Sequence, residues 1–205
     1  MTVGAASVIT GAVEGDLDEA LLRRISAYAG FNLGTVHGRE GKPTLLKRLA
    51  GYNNAARFSP WVVLIDLDND CDCAPTCLQQ WLPCPSHQMY FRIAVRMIEA
   101  WLLADRERVA RLLGVAEANF PEDPDDLENP KQTLINLARR SRRSIKADLV
   151  PRDGSGRSVG PLYNARMIEF TEDRSAGWRP EHALRRSASL SRCIQKLQQL
   201  PRVAQ

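Results

Sequence analysis

Short β-branched runs alternate with segments of helical apolar spacing along the N-terminal half of the chain. This alternation is typical of a mainly parallel sheet covered by helices. We therefore predict an α/β fold with a Rossmann-like, mainly parallel four-stranded sheet flanked by helices. The predicted strands are 7–13, 31–36, 61–65 and 89–95, and the predicted helices between them are 16–30, 45–58 and 75–82.

The pattern becomes helical after Val95. We predict helices at 97–105, 107–113, 131–143, 162–170 and 180–200, with an acidic connection at 120–130 and a loop rich in Gly, Ser and Arg at 150–161. The simplest organisation is an α/β catalytic domain over residues 1–105. A basic, mainly helical region over 106–205 would pack on it.

Charge is divided unevenly along the 205 residues. Residues 130–205 carry 16 Lys and Arg against 6 Asp and Glu, whereas residues 1–129 carry 12 against 18. The overall composition, 44% hydrophobic and 25% charged, is that of a globular protein and excludes fibrous and disordered classes. The charge division favours an acidic metal site beside a surface that contacts polyanions.

The cysteines and the N-terminus indicate a cytoplasmic protein. The apolar segment 1–13 lacks a basic region before it, so we do not expect a signal peptide, and no segment has the length and hydropathy of a membrane span. Four of the five cysteines crowd into 71–84, at spacings that match neither a disulfide scaffold nor a zinc knuckle. We expect reduced thiols there.

Carboxylates follow two of the predicted strands directly. Glu14 comes after the first strand, and Asp66 and Asp68 come after the third. Because ligands bind at the carboxyl ends of parallel strands, these segments are expected to converge, with both aspartates of the extended Asp-x-Asp pointing to one side. Oxygen ligands of this kind suit one or two Mg²⁺ or Mn²⁺ ions. The alternative is that these residues cap helices and occupy loops.

Further polar residues have two possible roles each. Glu99 lies in an apolar segment, where its carboxylate must either lie near the metal or pair with Arg92 or Arg96. Lys131, Arg152 and Arg157 are candidates for binding substrate phosphates, since arginines bind phosphate bidentately and glycines let backbone amides approach it. A solvated helix face and a flexible connector are the alternatives.

The sequence VEGDLD at 13–18, with DLD at 66–68, resembles the Toprim fold, the catalytic domain of topoisomerases, bacterial-type primases and overcoming-lysogenization-defect (OLD) nucleases. The resemblance implies that Glu14, Asp66 and Asp68 bind divalent metal and catalyse phosphoryl transfer. In the nuclease branch an acidic residue four positions after the glutamate adds to a second metal site, and Asp18 matches it.

The whole chain also resembles a bacterial domain-of-unknown-function family that often accompanies ABC-type ATPases in phage-defence loci. The resemblance rests on RLAGYNNAARFSPW (48–61), FRIAVRMIEAWLLADRE (91–107) and GSGRSVGP (154–161). Together these features predict a metal-dependent nuclease acting on DNA or on tRNA or other RNA, with an OLD-like ATPase as a possible partner and a homodimer as a possible assembly. The alternatives are a non-catalytic regulatory or effector subunit bound to such an ATPase, and a small-molecule phosphotransferase or phosphatase.

Overall fold

A computed structural model describes residues 7–200 and contains one parallel sheet in that range. Its strands are β1 (Val8–Val13), β2 (Asn32–Gly38), β3 (Trp61–Asp66) and β4 (Met89–Ala94). They lie in the order β2-β1-β3-β4, and every neighbouring pair is parallel. The predicted α/β class with a four-stranded, Rossmann-like sheet is confirmed.

Helices make up about half of the described chain. They are α1 (Asp16–Ala29), α2 (Lys42–Ala55), α3 (Ala74–Trp81), α4 (Ile98–Ala104), α5 (Arg106–Leu113), α6 (Pro130–Ala138), α7 (Arg143–Leu149), α8 (Tyr163–Glu172), α9 (Pro180–Ala183) and α10 (Ala188–Gln198). Within residues 7–200, no helix combines the length and the apolar character needed to cross a membrane.

Two of the predicted C-terminal helices are shorter in the structure. The helix predicted at 131–143 ends at Ala138 as α6, and a separate helix, α7, begins only at Arg143, because no apolar side chain lies between Ala138 and Ile145 to hold a continuous helix against the core. The segment predicted at 180–200 is α9 and α10, which are separated by a short turn. The helical character of the C-terminal half is confirmed, with these two segments less helical than predicted.

The chain divides into two compact units. One contains the sequence up to Val95 together with the segment from Ser189 onward, and the other contains Arg96–Ala188. The first unit therefore ends at Val95 rather than at residue 105. It also includes the last helix, which the sequence pattern assigns to the C-terminal region.

The sheet of the first unit is buried on both faces. Val63 and Ile65 of β3 point to the face that packs against α2 and α3, where Leu45 and Cys77 complete an apolar cluster. On the opposite face α1 lies against β1, so closely that a side-chain carbon at Gly11 would be 3.4 Å from Leu22. Burial on both faces explains why β3 is an uninterrupted apolar run.

Gly38, at the end of β2, keeps the strand ends close together. Its φ of 91° is in the left-handed region, and a Cβ there would overlap the carbonyl oxygen of Val13. That carbonyl accepts a hydrogen bond from the backbone N–H of Arg39 at 2.9 Å. Glycine is therefore required next to Glu14, the first residue after β1.

The second unit is organised around α4, whose seven residues are all buried. The indole N–H of Trp178 donates to the carbonyl of Trp101 at 3.0 Å, and both rings are fully buried. At the end of α4, the carboxylate of Asp105 accepts hydrogen bonds from the Arg179 guanidinium at 2.7 and 3.0 Å. A buried carboxylate held this way is neutralised and saturated by its partner.

A pair of glycine substitutions tests the packing around β2. Gly38→Ala is expected to lower the free energy of unfolding by about 2 kcal/mol or more, because the methyl group meets Val13 at a strained φ. Gly51→Ala, in open space on α2, is expected to raise it by up to about 1 kcal/mol through helix propensity. Urea unfolding of both variants checks this, and equal effects would contradict the assigned role of Gly38.

Candidate functional site

The carboxyl ends of β1 and β3 meet at Glu14 and Asp66. The backbone N–H of Asp66 donates a hydrogen bond to Oε1 of Glu14 at 2.7 Å, although the two residues are 52 positions apart. Both segments therefore reach one place because their parallel strands are neighbours in the sheet. The contact joins the Glu14 side chain to the Asp66 main chain, so it fixes the strand ends and assigns no metal role to either residue.

Lys42, the first residue of α2, is the site residue that sequence reasoning missed. Its ammonium donates hydrogen bonds to Oδ2 of Asp68 at 2.5 Å and to Oδ2 of Asp70 at 2.8 Å. The lysine side chain is only 14% exposed. Burial alone would lower the pKa of Lys42, but its hydrogen bonds to the two aspartates raise that pKa above its ordinary value. We name Glu14, Lys42, Asp66, Asp68 and Asp70 the carboxylate–lysine site.

One signal in the sequence could have found Lys42. A lysine in the first turn of a helix is unfavourable beside the positive end of the helix dipole, so it needs nearby negative charge. Lys42 stands between Gly41 and Pro43, a pair that marks a helix start. The carboxylates that follow the third strand could supply that charge, because they are expected at the same edge of the sheet.

Asp68 does not have the conformation expected from the Asp-x-Asp pattern. Strand β3 ends at Asp66, and Asp68 has a φ of 48°, in the left-handed region. The expected extended alternation is therefore wrong, because the chain turns at this point. The turn is closed by a hydrogen bond from the N–H of Asp70 to the carbonyl of Leu67 at 3.2 Å. It directs Asp68 and Asp70 together toward Lys42.

The surroundings of the Glu14 carboxyl disfavour its charged form. Burial raises the pKa of Glu14, and the nearby charges of Asp68 and Asp70 act in the same direction. The hydrogen bond from Asp66 and the charge of Lys42 oppose this rise without cancelling it. Glu14 therefore holds a proton more readily than an exposed glutamate does.

Asp18, expected as a ligand of a second metal, is buried in the first turn of α1. Its Oδ2 lies against Gly15, 3.2 Å from where a glycine substituent would stand. This places Asp18 one helical turn from Glu14. An acidic residue in this turn also complements the positive end of the α1 dipole.

Glu99 lies in the second unit and is 1% exposed. Its Oε1 accepts a hydrogen bond from the Tyr163 hydroxyl at 3.1 Å and forms an ion pair with Lys131 at 3.3 Å. The pairing partner is therefore Lys131, in place of Arg92 or Arg96. The other oxygen, Oε2, is buried without a hydrogen-bond partner among the described residues. Two residues predicted for different tasks, Glu99 and Lys131, thus form one polar cluster.

The residues present do not form a metal centre as they are arranged. Over residues 7–200, no group of three or more His, Cys, Asp or Glu side chains could hold a metal ion. An ammonium stands instead where a cation would bridge Asp68 and Asp70. The carboxylate oxygens are chemically suited to Mg²⁺, but their placement around Lys42 does not fit it.

The cysteine segment departs from the expected reduced thiols. Cys71 and Cys77 form a disulfide, whereas Cys73 and Cys84 are free and exposed. The spacing of the cysteines could not reveal this pairing, because it depends on the turn after β3 that brings Cys71 to the buried face of α3. Cys193 is free and buried, and burial raises its pKa to about 12.

Basic side chains without described partners crowd the junction of α6 and α7. Arg139, Arg142, Arg143 and Lys146 are exposed, and their side chains make no hydrogen bond or ion pair within the part of the chain that the structure describes. We name these four residues the junction cations.

Arg152 and Arg157 are also exposed, on the loop between α7 and α8. An open cleft of about 410 Å³ adjoins that loop and is lined by Arg157, Ser158 and Asn164 among others.

In comparisons with known proteins, no family model, no curated protein and no solved structure matches the chain. The resemblances to the Toprim fold and to the phage-defence family therefore stay predictions. A functional assignment has to rest on the geometry of the site.

The raised pKa of Glu14 predicts how the stability of a variant changes with pH. Glu14→Gln keeps an oxygen that can accept from Asp66 but removes the negative charge. Because deprotonation of Glu14 costs folding free energy once the pH exceeds the ordinary pKa of 4.5, the variant should gain stability relative to wild type between about pH 4 and about pH 7. Urea unfolding at both pH values measures the difference.

The exposed Asp16, two positions away, provides the control. Asp16→Asn should not reproduce this gain over the same pH range, because it leaves the half-buried Glu14 carboxyl in place. A Glu14→Gln protein that loses stability relative to wild type as the pH rises would contradict the electrostatic description of Glu14.

Proposed function

We propose that this chain is a nuclease that hydrolyses phosphodiester bonds at the carboxylate–lysine site. The observation that carries the proposal is the meeting of Glu14 with Asp66, which unites the ends of two parallel strands beside a half-buried lysine. The ends of parallel strands are where open α/β sheets bind ligands. Asp68 and Asp70 are 37% and 44% exposed, so the site is open to a solvent-borne substrate.

The residues of the site have properties that suit phosphoryl chemistry. The raised pKa makes Glu14 a stronger base than an exposed glutamate, which suits a group that accepts a proton from the attacking water. The ammonium of Lys42 carries a positive charge whose raised pKa keeps it protonated, and it can stabilise negative charge that develops on phosphate oxygens. Asp68 and Asp70 would orient that ammonium.

The junction cations support nucleic acid as the substrate class. Exposed arginines and lysines that do not pair with carboxylates remain available for phosphate groups. A small-molecule phosphatase needs one phosphate pocket and gains nothing from a row of such residues. The unpaired cations therefore favour a polyanionic substrate over a small phosphorylated molecule.

The divalent cation implied by the Toprim resemblance remains a separate question for experiment. Since the side chains as placed do not fit a metal, the proposal assigns no catalytic step to Mg²⁺ or Mn²⁺. The assays therefore need arms with Mg²⁺, with Mn²⁺ and with a chelator. Activity that survives chelation would assign the charge stabilisation to Lys42 alone.

One observation favours a second candidate, a non-catalytic binding subunit. Lys42 forms ion pairs with Asp68, one of the three carboxylates expected to act, and with the neighbouring Asp70, as in a site that no longer catalyses a reaction. In that case the chain would bind nucleic acid or an ATPase partner without cleaving anything. The two candidates differ in whether the purified protein cuts nucleic acid.

The first test compares cleavage by wild type and by Glu14→Gln/Lys42→Gln. Plasmid, single-stranded DNA and tRNA are each incubated with the purified full-length protein in the three metal arms. We expect cleavage to fall by about 100-fold or more in the double variant, because the proton acceptor and the ammonium that stabilises phosphate charge are both removed. Circular dichroism checks that the variant is folded.

Asp16→Asn is the matched control, since it removes an exposed carboxylate near Glu14 that makes no described contact. It should cleave at the wild-type rate. Cleavage that persists in the double variant would overturn the proposed site. A wild-type protein that binds all three nucleic acids and cuts none, in any arm, would establish the binding subunit instead.

The second test measures how binding depends on salt. If the junction cations bind phosphates, Arg142→Gln/Arg143→Gln should weaken binding and reduce the slope of log K against log salt by roughly one for each phosphate that is no longer neutralised. Fluorescence anisotropy with labelled DNA and tRNA gives both quantities. Lys47→Gln/Arg57→Gln removes the same charge from exposed positions of the first unit and serves as the control. Equal slopes for the two double variants would exclude the junction cations as the binding surface.

A further inference from the structure

The disulfide between Cys71 and Cys77 is placed directly beside the carboxylate–lysine site. Cys71 is the residue after Asp70, which binds Lys42. Cys77 lies in α3 and is fully buried among apolar residues. The covalent bond therefore fastens the loop that follows β3 to helix α3.

Lys42 contacts one residue in each of the two segments that the disulfide joins. On the loop side, its ammonium donates to Asp70 at 2.8 Å. On the helix side, the ammonium lies 5.9 Å from the centre of the Trp81 ring, within the range of a cation–π contact. Trp81 stands one helical turn after Cys77. The disulfide thus fixes the position of one support of Lys42 relative to the other.

We propose that Cys71–Cys77 is a modification site, a disulfide cleaved by low-molecular-weight thiols, and that its cleavage releases Lys42 from Asp70. Between Asp66 and Ala74 the loop has no helix or strand of its own. The loop is tied at its start by the hydrogen bond from the N–H of Leu67 to the carbonyl of Ala94, then by the turn at Asp70 and the ion pairs with Lys42, and at its end by the disulfide. The effect of disulfide cleavage on catalysis rests on the proposed function, but the release of Lys42 does not.

The exposure of the two sulfurs decides where the reaction begins. Cys71 is partly exposed and Cys77 is buried, so an incoming thiolate attacks Sγ of Cys71. A sulfur–sulfur bond forms to the incoming thiol, the Cys71–Cys77 bond breaks, and the electron pair leaves on Cys77, which takes a proton. A second thiolate attacks the incoming sulfur of this mixed disulfide and releases Cys71. Two thiols are oxidised to one disulfide, and the protein disulfide is reduced to two thiols.

Cys73 lies between the two bonded cysteines and must be separated from them in any test. Its sulfur lies 3.1 Å from the Thr76 hydroxyl, and this hydrogen bond lowers the pKa of the exposed thiol. A thiol of this kind reacts early with thiol and disulfide reagents. The experiments therefore use Cys73→Ser, in which the Cys71–Cys77 bond should form as in wild type.

The first measurement establishes the covalent state. The wild-type protein is unfolded in denaturant with iodoacetamide, with and without prior reduction, and its mass is determined. We expect three modified cysteines without reduction, from Cys73, Cys84 and Cys193, and all five after it. Five modified cysteines without reduction would overturn the proposal.

The second measurement reads the release of Lys42. The Cys73→Ser protein is acetylated with an N-hydroxysuccinimide ester before and after treatment with dithiothreitol, and each lysine is quantified by mass spectrometry. Because Lys42 is only 14% exposed when held, its labelling should rise by about threefold on reduction. Lys47, which is exposed on the same helix, provides the internal control and should not change.

A variant distinguishes release by disulfide cleavage from a general effect of the reductant. Cys71→Ser in the Cys73→Ser background should give the high Lys42 labelling with and without dithiothreitol. Reoxidation of the parent protein should restore the low value. If Lys42 labelling in the parent protein does not change on reduction, the proposed release of Lys42 is overturned.

The labelling is measured without nucleic acid, so the proposed release of Lys42 and the proposed nuclease activity are tested independently. If Lys42 is released but nucleic acid is not cut in either redox state, the redox proposal stands and the nuclease proposal is overturned. If nucleic acid is cut but Lys42 labelling does not change on reduction, the nuclease proposal stands and the redox proposal is overturned. If both hold, the reduced and oxidised proteins should differ in cleavage rate by severalfold.

Discussion

Carboxylates gathered at the ends of parallel strands repel one another, and in this protein the ammonium of Lys42 relieves that repulsion from within. The lysine joins Asp68 and Asp70, and its charge also reaches Glu14. Without it, the turn after β3 would hold two like charges side by side, which costs free energy. The arrangement of the carboxylates in the site depends on this half-buried cation.

The parts of the structure that could be predicted are those set by local pattern and by chain topology. Apolar alternation gave β1 to β4 within a few residues, and parallel neighbours brought Glu14 to Asp66 as expected. Lys42 and the disulfide could not be predicted, because both depend on the turn after β3. That turn rests on a left-handed φ at Asp68, a conformation for which no glycine marks the position.

For Glu99, the sequence predicts that the carboxylate needs a partner, but only the packing of the helices determines which partner it has. Its apolar neighbours in the sequence require a partner for the carboxylate, since an isolated buried charge is costly. Which partner it takes depends on how α4, α6 and α8 pack, and the structure selects Lys131 and Tyr163. A single oxygen of Glu99 receives both contacts, so the buried charge is satisfied on one side only.

The charge balance of the carboxylate–lysine site limits what can bind there. One ammonium faces the carboxylates of Glu14, Asp68 and Asp70, so the site stays negative even when Lys42 is fully protonated. A phosphodiester is itself an anion, and it cannot approach such a site without further positive charge or the removal of a negative one. Glu14 must stay deprotonated to accept a proton from the attacking water, so the added positive charge has to come from an ammonium of Lys42 that is free to face the phosphate. A site held this way admits its substrate according to the freedom of Lys42, which the turn after β3 limits through Asp68 and Asp70.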